Sequence, residues 1–214
     1  MTAPFKSYEV VSDERVGDGG FLRLRRLRLR VRREDGSLSD EGLYDYVERP
    51  LGRDAVVLVL WHRAADGIQI LLRTAPRVPM WFARGPDVGR HVTELVAGIL
   101  ERGEDDWPAI QRRAAAEAHE EAGVRVAPES VQRLGPPLFP TVGMYPELFH
   151  FVAAEVRDPN AAEPPPTDGS PFEEGAALEW LTLDDALARC AAGTINDLKT
   201  ECALRRLREQ LGHV

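Results

Sequence analysis

Long apolar runs are missing from this chain. The longest, Ala55–Trp61, falls far short of the ~18 residues that cross a bilayer as a helix. No membrane partner is expected, and the opening MTAPFKSYEV lacks the apolar core of a secretion signal. Cysteine is scarce: Cys190 and Cys202 are the whole supply. Two thiols in a helical region give neither a disulfide framework nor a metal-site spacing, and they read as free thiols of a cytoplasmic protein. Positive charge is also in deficit. A net charge of −8 excludes a general nucleic-acid surface, because that chemistry runs on Lys and Arg neutralising phosphates. No internal repeat is present.

One segment opposes the acidic balance. Arg23–Arg33, RLRRLRLRVRR, interleaves arginines with Leu24, Leu27, Leu29 and Val31. Alternation of this kind marks a strand with one wet face. A bulge near Arg25–Arg26 would absorb the break in its phase. With a turn at Glu34–Ser37 and a strand at Gly42–Glu48, residues 1–50 form a small β subdomain that lacks a core of its own. Residues 51–214 form the main domain. Strand signals at Ala55–Trp61, Ile68–Arg73, Val124–Val126, Leu148–Val156 and Ala176–Leu181 alternate with helices, two of them at 183–191 and 195–212. That order implies an α/β sandwich. Two loops are long: Thr74–His91, which carries Arg77, Arg84 and Arg90, and the Pro-rich, acidic Asp158–Gly175.

The densest chemistry lies in Ala97–Val124, AGILERGEDDWPAIQRRAAAEAHEEAGV. Glu117, Glu120 and Glu121 stand at i, i+3 and i+4, so they share one helix face. Two readings are open. An Ala- and Glu-rich stretch is what a solvated face looks like. Three carboxylates that repel one another also suit a hard divalent cation held by oxygens, Mg²⁺ or Mn²⁺. Asp106 is placed to cap this helix, with Pro108 in its first turn and Gly123 at its end.

The whole phrase resembles the Nudix box, G-x5-E-x7-R-E-U-x-E-E-x-G-U with U aliphatic. Gly98 and Glu104 fit its opening, and Glu117 through Val124 fit its close. Two positions depart from the pattern. Eleven residues separate Glu104 from Ala116 instead of seven, and Ala116 replaces the arginine. Arg113 lies four residues before Glu117 and can take over on the same face. Arg112 keeps the seven-residue spacing but breaks the register of every later glutamate. Four further segments are similar to the ADP-ribose and ADP-sugar pyrophosphatase branch of that family. They are Tyr46–Pro50, Glu94–Gly98, Pro140–Glu147 with Val142 where a proline is usual, and Gly193–Thr200.

The resemblance implies a Nudix-type α/β/α sandwich with a mixed sheet, and Mg²⁺-dependent hydrolysis of a nucleoside diphosphate-linked small molecule. ADP-ribose, giving AMP and ribose 5-phosphate, is the first expectation. Another NDP-sugar, a dinucleotide, or a weakly active nucleotide-binding module is the alternative. By the same resemblance, Glu117, Glu120, Glu121 and the Ala97 carbonyl hold the metal, and Glu147 acts as general base. Arg77, with Arg73 as its competitor, meets phosphate, while Glu94 and Gly143 belong to the substrate site. Trp81 and Phe82 either close over a base or pin their loop to the core. Residues 1–50 are expected to reach across a homodimer.

Overall fold

The computed structural model describes residues 3–17, 20–50, 52, 54–89, 91–166 and 176–212. Arg90 and the distal half of the acidic Asp158–Gly175 segment therefore lie outside the described residues. The chain divides into two compact units. One is Met1–Arg53 with Thr141–Glu147, and the other is Asp54–Pro140 with Leu148–Val214.

The first unit is a three-stranded antiparallel sheet of β1 (Phe5–Val16), β2 (Arg23–Arg33) and β3 (Gly42–Glu48), in that order. The arginines of β2 are answered from both neighbours. Arg25 pairs with Asp13 of β1, and Arg32 with Glu9. Arg26 pairs with Asp45 of β3, and Arg23 with Glu48. The basic stripe is thus neutralised within its own sheet. The bulge expected near Arg25–Arg26 is not there: β2 pairs with β3 without interruption from Arg23 to Leu29. The irregularities fall on the β1 pairing, between Phe5 and Ser7 and between Val10 and Ser12. The segment Thr141–Glu147 joins this unit through Tyr44, whose hydroxyl donates to the Gly143 carbonyl at 2.7 Å. Val47 N–H likewise donates to Met144 O at 2.9 Å.

The second unit is built on β4 (Ala55–Ala64), whose first seven residues, AVVLVLW, are buried throughout. A strand apolar on both faces has to be covered on both. Val57, Val59 and Trp61 pack with α4 (Leu183–Ala191) and α5 (Leu198–Gly212). Val56, Leu58 and Leu60 pack with Ile110, Ala114, Ala118 and Ala122 of α3 (Trp107–Ala122). Strand alternation thus makes two cores on opposite faces of one sheet, an α/β/α sandwich.

β4 pairs antiparallel with β5 (Gly67–Ala75) and parallel with β9 (Phe149–Glu155). The sheet is completed by β10 (Ala177–Thr182) beside β5 and the two-residue β8 (Gln132–Arg133) beside β9. Two short strands carry the chain into the site: β6 (Val92–Glu94) pairs β5, and β7 (Val96–Ile99) pairs β4. The Thr74–His91 segment is not one loop. Its first residues extend β5, and α1 (Val78–Arg84) and α2 (Pro86–Gly89) follow. Val124–Val126 is not a strand. Val124 N–H closes onto Ala118 O at the end of α3, and its side chain is buried in the α3 core, so no edge is presented for pairing.

Candidate functional site

The site of the second unit forms where β7 crosses the C-terminal half of α3. β7 is held flat by β4, with Val57 opposite Ala97 and Val56 opposite Gly98. α3 starts at Asp106, whose carboxylate accepts from Ala109 N–H at 2.7 Å. It ends at Gly123, whose φ of 65° lies in the left-handed region and whose N–H returns to the helix. A helix fixed at both ends turns Glu117 and Glu121 toward β7. A Cβ on residue 98 would lie 1.8 Å from Glu117 Oε1 and 2.0 Å from its Cδ, so a side chain at 98 and this carboxylate compete for one place. Ala97 N–H donates to Glu121 Oε2 at 3.1 Å. Glu121 also faces the Arg73 guanidinium at 3.8 Å, with the two side chains 9% and 3% exposed.

Arg113 organises the entrance to α3. Its Nε and Nη2 donate to the two carboxylate oxygens of Glu104 at 3.1 and 3.2 Å, a bidentate fork. Its Nη1 stands 4.0 Å from Glu117. Burial pushes the Glu104 carboxyl up, but the hydrogen bond from Arg113 and that from Glu101 N–H overcome this and hold it below its usual range. Glu120, by contrast, is exposed on α3. Among the described residues no group of three or more acidic, His or Cys side chains stands close enough to hold a cation by itself.

The chemistry of the donors still fits a hard divalent ion. Glu117 and Glu121 are poorly solvated carboxylates on one face of α3 beneath the backbone of β7, and residue 98 has no side chain to compete with the Glu117 carboxylate. The remaining ligands of such an ion would be the Ala97 carbonyl, the exposed Glu120, solvent and the substrate.

A second charged cluster adjoins the strand that precedes β7. Glu94, at the end of β6, is buried and is gripped by Arg77 Nε and by Lys199 Nζ, the latter at 2.6 Å. Of the two candidate phosphate-binding arginines, Arg73 is enclosed, whereas Arg77 keeps 37% of its side chain exposed. Exposure favours Arg77, since a guanidinium has to reach its anion. Trp81 is partly exposed and Phe82 is 82% exposed, so Phe82 does not pin its segment to the core.

Glu147 and Gly143 belong to the first unit. Glu147 is buried against Arg49 Nη2 at 2.9 Å, and the Arg49 guanidinium lies over the rings of Phe21 and Tyr145. Neither Arg49 nor Lys199 stands out as a site residue in the sequence. Each lies inside a phrase with a family likeness, Tyr46–Pro50 and Gly193–Thr200, and spacing within a phrase does not say which residue meets an acid from elsewhere in the chain.

No family model matches the sequence, and no curated protein matches it. Solved structures do. A structure described as an ADP compounds hydrolase superposes with a TM-score of 0.66 at 12% identity, covering 99% of this chain and 98% of that one. A C. elegans Ap4A hydrolase aligns over 76% of this chain and 99% of its own, with a TM-score of 0.49 at 22% identity. The fold, an α/β/α sandwich with a mixed sheet, is therefore one that the first of these proteins shares.

Proposed function

We propose that this protein is a Nudix pyrophosphatase that hydrolyses a nucleoside diphosphate-linked small molecule, with ADP-ribose as the first candidate. The observation that carries the reading is the placement of two α3 carboxylates under β7: Glu117 fills the place a side chain on residue 98 would take, and Glu121 accepts from Ala97 N–H. Paired carboxylates at that spacing in a fold of this type supply a metal site for a diphosphate. Glu117, Glu121 and the Ala97 carbonyl would hold Mg²⁺ or Mn²⁺, with Glu120 turning in as a further ligand. The ion supplies neutralisation of the diphosphate charge and acidifies water. Arg77 pairs with phosphate oxygens through its guanidinium fork. Glu147 serves as the proton acceptor for the attacking water. Water adds at one phosphorus, the P–O–P bond breaks, and AMP and ribose 5-phosphate leave. Most of the catalytic effect is positioning and charge stabilisation, which is what phosphoryl chemistry asks of a protein.

A structural neighbour that matches over the full length is described as an ADP compounds hydrolase, and this supports the adenine nucleotide class. The free thiols Cys190 and Cys202 support a cytoplasmic location. The homodimer is part of the same proposal and rests on the first unit.

The test is direct. Purified protein with Mg²⁺ and ADP-ribose is expected to release AMP, and a panel of NDP-sugars and dinucleotides ranks the substrates. Glu121→Gln is expected to lower turnover at least ~100-fold, as loss of a ligand to the catalytic ion does. Binding of ADP-ribose with no release of AMP would favour the nucleotide-binding module instead. Unchanged turnover in Glu121→Gln would remove the metal assignment.

A further inference from the structure

Glu94 sits where three elements meet. It ends β6, faces Arg77 ahead of α1, and faces Lys199 in the first turn of α5. A carboxylate this enclosed, 5% exposed, stays charged only while cations hold it. Burial alone would push the Glu94 carboxyl up and draw the Lys199 ammonium down. The charges of Lys199 and Arg77 reverse the first, and those of Glu94 and Asp197 reverse the second. Glu94 is held below the usual carboxylate range and Lys199 above its own.

The two cations differ in how they are held. Lys199 is 13% exposed and is also bound to Asp197 at 2.9 Å. Asp197 accepts in turn from Thr200 N–H and Oγ1 at 3.0 and 2.7 Å, and Thr200 Oγ1 accepts from Leu95 N–H at 2.9 Å. The start of α5 is thereby stitched to the residue after Glu94. Arg77 instead stands half open to solvent at the head of the α1–α2 segment.

We infer that Lys199 is a positioning residue for ligand binding: by neutralising Glu94 from the core side, it leaves the charge of Arg77 available to an anionic diphosphate. This rests on the assignment of Arg77 to phosphate made above. Lys199 is the cation that Glu94 and Asp197 share, so its loss makes the surroundings of Glu94 more negative by one charge. Arg77 then has to answer a buried carboxylate that has lost its other cation, and an incoming phosphate meets a repulsive field. The Asp-x-Lys-Thr phrase at Asp197–Thr200 thus serves the site as well as the helix start.

The experiment compares Lys199→Met, Arg77→Met and the double variant Glu94→Gln/Lys199→Met in the full chain. It measures KM and kcat for ADP-ribose with Mg²⁺, the Kd of ADP-ribose by calorimetry, and urea midpoints. Lys199→Met is expected to raise KM and Kd about tenfold with kcat within about twofold. The double variant, with no unmatched charge on residue 94, is expected to recover most of that loss. It also serves as the binding test should Lys199→Met fold poorly. Weak binding by Arg77→Met with normal binding by Lys199→Met overturns the role of Lys199 and leaves Arg77 in place. Normal binding by Arg77→Met overturns both assignments. A loss in Lys199→Met that the double variant shares makes Lys199 a structural residue only and also overturns the inference.

Discussion

At the scale of single residues, Gly98 shows how a small group sets a large one. Its Cα lies so close to Glu117 that a methyl group would overlap the carboxylate at 1.8 Å. The backbone of β7 is tied to β4 on one side, so the side chain of Glu117 has to give way. Gly98→Ala is therefore expected to fold, because the displaced atoms are the far end of a flexible side chain. It is also expected to weaken Mg²⁺ binding and turnover at least ~10-fold, as displacing one charged ligand does. Calorimetric Mg²⁺ titration in the presence of AMP, with a urea midpoint as control, measures this. Wild-type affinity in Gly98→Ala would separate Glu117 from the cation. The spacing of the glutamates made Glu117 and Glu121 legible as partners on one helix face. It did not reveal that Gly98 is the counterpart of Glu117, because that contact depends on where β7 crosses α3. Nor does spacing place Glu120. The i+3 position shares a helix face in projection, yet this one is left in solvent.

At the scale of elements, what the sequence revealed tracks how strongly a segment is determined by itself. β4 carries an unbroken apolar run and α3 carries a cap, a first-turn proline and a terminal glycine, so both are legible within a few residues. β1 is not, because its two irregularities shift the alternation of FKSYEVVSDERV partway along. β6 and β7 are only three and four residues long, and tertiary pairing defines them rather than pattern. Val124–Val126 misleads for the opposite reason: its valines favour a strand, but the end of α3 turns Val124 into the core and leaves Arg125 in solvent.

The two ends of α3 are expected to differ in cost. Asp106→Ala removes one capping bond, worth ~1 kcal/mol. Gly123→Ala forces a side chain into the left-handed region and brings a Cβ within 1.7 Å of the Glu163 carbonyl, which lies on a backbone that itself donates to Gly123 O at 3.0 Å. The left-handed conformation alone costs a side chain ~1–2 kcal/mol, and the overlap adds to it. Urea unfolding is expected to rank Gly123→Ala as the more destabilised by at least ~1 kcal/mol. Equal costs would mean that the Glu163 segment yields freely.

At the scale of the whole molecule, the first unit raises a problem of its own. In β2, Leu27, Leu29 and Val31 lie across from Tyr44 of β3 and from Val10 and Tyr8 of β1, so all six share one face of the sheet. Tyr8, Val10 and Tyr44 are exposed there, Tyr8 by 64%. A three-stranded sheet gains little by leaving such a face to water, and patches of this kind mark association surfaces. The other face spends its arginines on acids of the same sheet, as the Arg26–Asp45 and Arg32–Glu9 pairs show, and has little charge left to recruit a partner. The apolar face is the one a second copy would cover, by an isologous contact between identical patches. Light scattering is accordingly expected to give a mass near twice 23.8 kDa. Tyr8→Asp, which puts a charge in the patch on the edge strand β1 without touching the ion pairs of the opposite face, is expected to shift that mass toward the monomer. A monomer mass for the unmodified protein at micromolar concentration would refute the dimer. A dimer unchanged by Tyr8→Asp would move the interface off this face.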